Sequence, residues 1–175
     1  MLRCLLILAS LALVGCVGKP TLDAPKLSDR EFNLEEFFDG EVVASGQFQD
    51  VFGNVRRRFD VSISGTWDGE TLKLVEDFSY ADGTSEQRIW TLQKTGPQSW
   101  VGSAPGVIGR ASGLEDGDTF NWAYTIDLPV PDGTLRVTFD DWMWQLGEKR
   151  VLNRAYMKRY GINIGEVIIF FEKKT

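Results

Sequence analysis

The chain has 175 residues, 43% of them hydrophobic and 25% charged, with a formal net charge of −6 and no histidine. That composition is typical of one soluble globular domain and excludes disordered, collagen-like and multi-span membrane chains, while the acidic balance argues against sequence-independent binding to nucleic acid. Without histidine, triads built on it, His-ligated zinc and imidazole general-base chemistry have no residue to work with.

Residues 1–15 form the first predicted element. Arg3 supplies a positive start, and Leu5 to Val14 is an apolar run broken only by Ser10, too short for the roughly 20 residues a membrane-spanning helix needs. It ends in Leu13-Val14-Gly15-Cys16, which is similar to the bacterial lipobox, where small residues precede the cysteine that receives a diacylglyceryl group. Cys16 is thus the expected lipidation site and mature N-terminus, and the partner it implies is a membrane, since two or three acyl chains anchor stably where one is marginal. Cys4 lies in the removed segment, so the mature chain has no second thiol for a disulfide. All acids lie beyond Cys16, so removing Arg3 makes the net charge −7. Val17 stands where inner-membrane lipoproteins carry Asp, which favours the periplasmic face of a Gram-negative outer membrane. Residues 16–30, with Pro20 and Pro25, read as a lipidated tether, and 31–175 as a single domain.

A helix is expected over Ser28 to Phe38, with Ser28 as N-cap and Glu31 at the capping-box position. Beyond it, Asp-Gly pairs at 39, 68, 82, 116 and 132 separate stretches rich in Val, Ile, Phe, Trp and Thr. Asp-Gly suits type I′ hairpin turns, because both central residues must accept positive φ. Phe59, Val61 and Ile63 alternate with Asp60, Ser62 and Ser64, and Phe120, Trp122, Tyr124, Ile126 and Leu128 share one parity. Both are half-buried strands. Nine strands are predicted, near 41–52, 55–66, 70–80, 86–94, 98–103, 106–114, 119–128, 134–146 and 164–173. At Asp140-Asp141 the apolar parity changes toward Trp142 and Trp144, which suggests either a bulge or an edge with both faces covered. Val151 to Tyr160, with Leu152, Ala155, Tyr156 and Arg159, reads as a short helix ending at Gly161. The fold class is all-β, an antiparallel up-and-down meander closing into a barrel or sandwich, because closure removes exposed strand edges.

A family resemblance rests on Phe38-Asp39-Gly40, Gly46-Gln47-Phe48, Phe52-Gly53-Asn54-Val55-Arg56-Arg57-Arg58-Phe59, Gly65-Thr66-Trp67, Asn121-Trp122, Phe139-Asp140-Asp141-Trp142-Met143 and Leu152-Asn153-Arg154-Ala155-Tyr156-Met157. Together these resemble a family of proteobacterial lipoproteins of unassigned activity. The resemblance implies a lipocalin-like (calycin-type) barrel. It also implies a link to lipids, since genes for fatty-acid modification, including cyclopropane fatty-acid synthases, accompany the family. The Asn153-Arg154 pair is similar to the arginine that lipocalins place at the barrel's closed end.

A barrel of this size can hold one small ligand, and acyl sites pair an apolar lining with a basic group. Arg57 shares parity with Phe59 and Val61, and Arg88 with Trp90 and Leu92, so both are candidate head-group residues, with Trp90, Trp122 and Tyr124 as candidate lining. The competing reading pairs each arginine with an inward acid, Glu76 or Asp141, or leaves it at the rim, and has the six tryptophans simply filling the core. Trp142-Met143-Trp144 cannot all face one side, so one face is either covered by the 151–160 helix or exposed to a membrane or envelope protein partner. Glu115-Asp116-Gly117-Asp118 lacks the later ligands of a calcium loop, and Asp140 and Asp141 point to opposite sides of a strand. No cofactor, metal or catalytic constellation is expected. The reading is a non-enzymatic, lipid-anchored barrel for a fatty acid or modified lipid, the alternative being an envelope interaction module with a filled barrel.

Overall fold

The computed structural model describes residues 18–26, 28–130 and 133–174; the signal, Cys16 and the lipobox lie outside the described residues. Ten antiparallel strands follow one short helix: α1 (Leu34–Phe38), β1 (Gly40–Asp50), β2 (Val55–Trp67), β3 (Thr71–Tyr80), β4 (Ser85–Gly96), β5 (Ser99–Ser103), β6 (Val107–Asp116), β7 (Thr119–Val130), β8 (Gly133–Gly147), β9 (Arg150–Arg159) and β10 (Ile162–Lys173). Each pairs with its neighbour in sequence, and β1 pairs with β10 from Val42↔Lys173 to Asp50↔Gly165, closing the barrel. The expected lipocalin-like meander therefore forms, with one strand more than predicted.

That additional strand is β9. The spacing of Leu152, Ala155, Tyr156 and Arg159 imitates a helical face, yet Val151, Asn153, Ala155 and Met157 point inward in strict alternation. The segment is held on both sides, as in Tyr156↔Asp140 of β8 and Tyr156↔Glu166 of β10. Tyr160 and Gly161 both have positive φ and make a hairpin turn rather than a helix cap.

The parity change at Asp140-Asp141 also dissolves. The β7–β8 register runs unbroken from Thr119↔Trp144 to Val130↔Gly133, so Val137, Phe139, Asp141 and Met143 all face inward and Trp142 faces out. Trp142 is nevertheless only 6% exposed, and among the described residues no helix covers it. The N-terminal segment runs along this outer wall instead. From the turn at Gly117, whose carbonyl accepts the Phe32 N–H at 2.7 Å, Lys26 reaches Asp116 at 2.8 Å. Lys19 reaches Asp140 at 3.1 Å and lies 4.7 Å over the Tyr156 ring. Asp140 also accepts the Trp142 indole N–H at 3.0 Å. The aromatic cluster is thus part of a covered wall and not an open patch.

The opening helix is shorter than expected. It spans Leu34–Phe38 with Asn33 before it, and Ser28 donates to Asp118 at 2.7 Å instead of capping a helix. Its apolar face, with Phe32, Leu34, Phe37 and Phe38, plugs one end of the barrel against Phe120 and Phe171. Buried Glu115 accepts the first-turn N–H of Leu34 at 2.8 Å, tying plug to wall. At Gly65 a Cβ would run into the Phe38 carbonyl, so only glycine lets the plug seat here. Inside, large rings face glycines: Trp122 lies against Gly102 and Gly113, Phe59 against Gly46 and Phe48 against Gly165. Those absent side chains make room for aromatic rings on the neighbouring strands.

Candidate functional site

Closure leaves a cavity of about 420 Å3 running from the plug, at Leu34 and Phe38, to the open mouth, at Arg57, Tyr80 and Val130. The volume lies within the range of pockets that bury a small organic molecule, roughly 300–1,000 Å3. Its wall is mainly apolar. Trp90 packs edge-on to Trp122 at 5.7 Å and to Tyr124 at 5.0 Å between ring centroids, and Tyr124 stacks on Phe139 at 5.3 Å.

A polar belt crosses this wall at the barrel's waist. Glu76 and Arg88 sit opposite each other on β3 and β4, and Asp141 lies on β8 opposite Trp122 of β7. Arg88 also pairs along its own strand with Glu86 at 2.6 Å, the two being on one face at spacing two. Burial drives the Glu76 carboxyl up to about 7, with Arg88 pulling it down and Glu86 pushing it further up. Glu76 retains exposed area, but that area faces the hollow rather than the outside. Asp141 is 8% exposed, its Oδ1 has no hydrogen-bond partner among the described residues, and burial, with Asp140 nearby, holds it well above the usual carboxylate range. Burial by itself would lower the Arg88 pKa, but Tyr124, Glu76 and Glu86 together outweigh it and keep the guanidinium charged. Burial, followed by the Asp141 charge, pushes the Tyr124 phenol well above its ordinary value. The belt therefore holds one fixed cation, one paired carboxylate, and two carboxyls that burial makes harder to ionise, aimed with a phenol into an apolar space.

Of the residues singled out in the sequence, Arg88, Trp90, Trp122 and Tyr124 share this one wall. Arg57 does not reach the belt. It lies at the mouth, 3.3 Å above the Tyr80 ring, donating to Thr84 at 2.9 Å and 3.6 Å from Asp82. Arg154 is not at the closed end but outside the wall, paired with Glu166 at 2.5 Å, while its neighbour Asn153 is buried inside and donates to the Trp142 carbonyl at 3.3 Å. Of the six tryptophans, Trp90 and Trp122 line the hollow and Trp67 and Trp100 pack together at the plugged end, their ring centroids 5.6 Å apart. Glu86 is the belt member the sequence reading lacked; its same-face spacing from Arg88 was the available signal.

A closed antiparallel meander, plugged at one end, hollow and open at the other, defines the class: a lipocalin-like barrel. Within that class the chain belongs to the family described as protein of unknown function (DUF3833), whose model matches residues 10–173. Among solved structures it is similar to the S-type phycobiliprotein lyase CPES from Guillardia theta, at 11% identity over 82% of this chain and 94% of that one, with a TM-score of 0.61. No curated protein sequence matches it. At that identity the structural likeness concerns the fold.

Proposed function

We propose that this protein is a lipid-anchored envelope barrel that holds one amphipathic hydrophobic molecule, such as a fatty acid or modified lipid. The observation that carries the reading is the polar belt set midway along an apolar hollow. Unpartnered polar atoms in such a place call for a ligand or water to satisfy them, and aromatic walls on either side suit an acyl chain or flat apolar body. A weakly acidic head fits best, because Arg88 supplies charge and Glu76 and Asp141, when protonated, donate hydrogen bonds to it.

The ligand test uses the tryptophans of the wall. Titration with a long-chain fatty acid is expected to change Trp90 and Trp122 fluorescence, and an Arg88→Met variant to bind about 10–100-fold more weakly, the loss of a hydrogen bond to a charged group. The methyl ester of the same acid should bind wild type and variant alike. Equal loss for acid and ester would mean that the polar group is not read at Arg88.

Placement in the envelope is supported by the lipobox-like Leu13-Val14-Gly15-Cys16 and by Val17 after it. Labelled palmitate should enter the wild-type chain in a Gram-negative host and not a Cys16→Ser variant, with the wild-type label in the outer membrane fraction. Incorporation into both would move the anchor elsewhere.

A second reading, catalysis on the bound molecule, is favoured by one feature: a carboxyl raised to about 7 by burial in an apolar hollow suits a general acid or base. The name of the structurally similar protein, a lyase, points the same way. Mass spectrometry of ligand recovered after incubation separates the two, since a holding protein returns it unchanged.

A further inference from the structure

Large apolar side chains are exposed mostly at one end of the barrel, and most strongly on two adjacent hairpin tips. The β1–β2 tip presents Val51 and Phe52, 55% and 86% exposed, and the β9–β10 tip presents Tyr160 and Ile162, 90% and 70% exposed. Because β1 and β10 are paired up to Asp50↔Gly165, the two tips stand side by side and form one apolar crest on the rim of the mouth. A hairpin tip gains nothing in folding from such residues, and a contiguous exposed apolar group marks a contact surface.

The charge around the crest is positive although the whole chain is acidic. Arg56 is neutralised by Asp50 at 2.6 Å, but Arg58 and Arg159 form no ion pair among the described residues, and the Arg159 guanidinium lies 5.2 Å over the Tyr160 ring. Exposed Phe, Tyr and Ile flanked by arginine match the interface of an anionic bilayer, where rings enter the headgroup region and cations meet phosphates.

The course of the N-terminal segment gives independent support. It runs up the outer wall from the plugged end at Gly117 to the waist, where Lys19 sits over Tyr156 of β9, four residues short of Tyr160. Cys16 is three residues before Lys19, a reach of at most about 10 Å, and four strand residues cover about 13 Å. An acyl anchor on Cys16 would enter the membrane on the side of the barrel that carries the crest.

We infer that the crest of Val51, Phe52, Tyr160 and Ile162 docks onto an anionic phospholipid surface, holding the mouth against the membrane so that an amphipathic ligand passes between bilayer and hollow. The docking goes beyond the ligand reading; only the passage of ligand rests on it.

The test places a single environment-sensitive fluorophore on Phe52→Cys or, at the plugged end, on Leu146→Cys in the full lipidated chain. The chain is reconstituted into vesicles of phosphatidylethanolamine and phosphatidylglycerol carrying nitroxide near the headgroups. Loss of most of the Phe52→Cys signal with the Leu146→Cys signal retained is expected, as is recovery of the Phe52→Cys signal when Arg58→Glu and Arg159→Glu are added. Equal quenching at both ends, or none at either, overturns the docking, whether or not the crest cross-links to a protein in cells. Should Cys16 carry no lipid, the chain with Cys16→Ser is added to the same vesicles from solution and read in the same way. The ligand titration by tryptophan fluorescence is a separate measurement, so a failed hollow and a failed crest give different results.

Discussion

Replacing Glu76 with Gln is expected to flatten the pH dependence of stability on the alkaline side. The carboxyl is raised from 4.5 to about 7 in the folded state, mainly by burial. A folded state that binds a proton more tightly than the unfolded one is favoured while that proton is present. The contribution is therefore complete below about pH 4.5 and lost as pH rises through about 7, a change of about 3 kcal/mol for this single group. Wild type should thus lose melting temperature between about pH 5 and about pH 8 relative to Glu76→Gln, by something near 10 °C for a chain of this length. Asp141 shifts in the same direction and remains in the variant, so some slope persists. Asp50, lowered to about 2, acts only in acid, where stability falls as it gains a proton. Parallel melting curves across this window would show that burial does not raise the Glu76 carboxyl, and a bound acidic ligand should shift the wild-type profile but not its Glu76→Gln counterpart.

Trp100→Ala is expected to be the most damaging single substitution away from the belt. The indole is 1% exposed, packs on Trp67, and has the Lys94 ammonium 5.3 Å over its ring. It projects from β5, the shortest strand, between Lys94 of β4 and Gly113 of β6, and the glycine brings no side chain of its own to fill the void. The expected cost is about 3–5 kcal/mol, the usual range for removing a large buried ring. Urea denaturation gives the measurement, with half-exposed Phe170→Ala on the outer wall as comparison, expected to change stability far less. A loss below about 1 kcal/mol for Trp100→Ala would mean that the plugged end is loosely packed.

The meander was readable wherever one face of a strand is wet. Phe59-Val61-Ile63 and Phe120-Trp122-Tyr124 alternate cleanly because Asp60, Ser62, Asn121 and Thr125 stand outside, and Asp-Gly pairs mark many of the turns. Reading failed along one strip, β8 and β9, for a single reason. There the N-terminal segment lies over the outer wall and pins at Asp140, so Trp142 and Tyr156 are buried although they point away from the barrel axis. With both faces covered, period two disappears, and the residual spacing of apolar residues over 151–160 imitates a helix. The candidate site divides similarly. Inward parity already placed Glu76, Arg88, Trp90, Trp122, Tyr124 and Asp141 on the core side, but Arg57 shares that parity and stops at the mouth, because parity says nothing of height along the axis.

The amino-acid sequence by itself determined the all-β meander and the inward face of most strands, since alternation and turn chemistry are local properties of the chain, and its lipobox-like Leu13-Val14-Gly15-Cys16 is the basis of the proposed anchor. Only the tertiary structure decided that the sheet closes through β1 and β10, that it remains hollow, and that acids and an arginine from β3, β4 and β8 meet across one cavity. Those outcomes depend on register between strands more than a hundred residues apart, on glycines that leave space for rings, and on the loss of water around carboxyls, none of which a single strand carries.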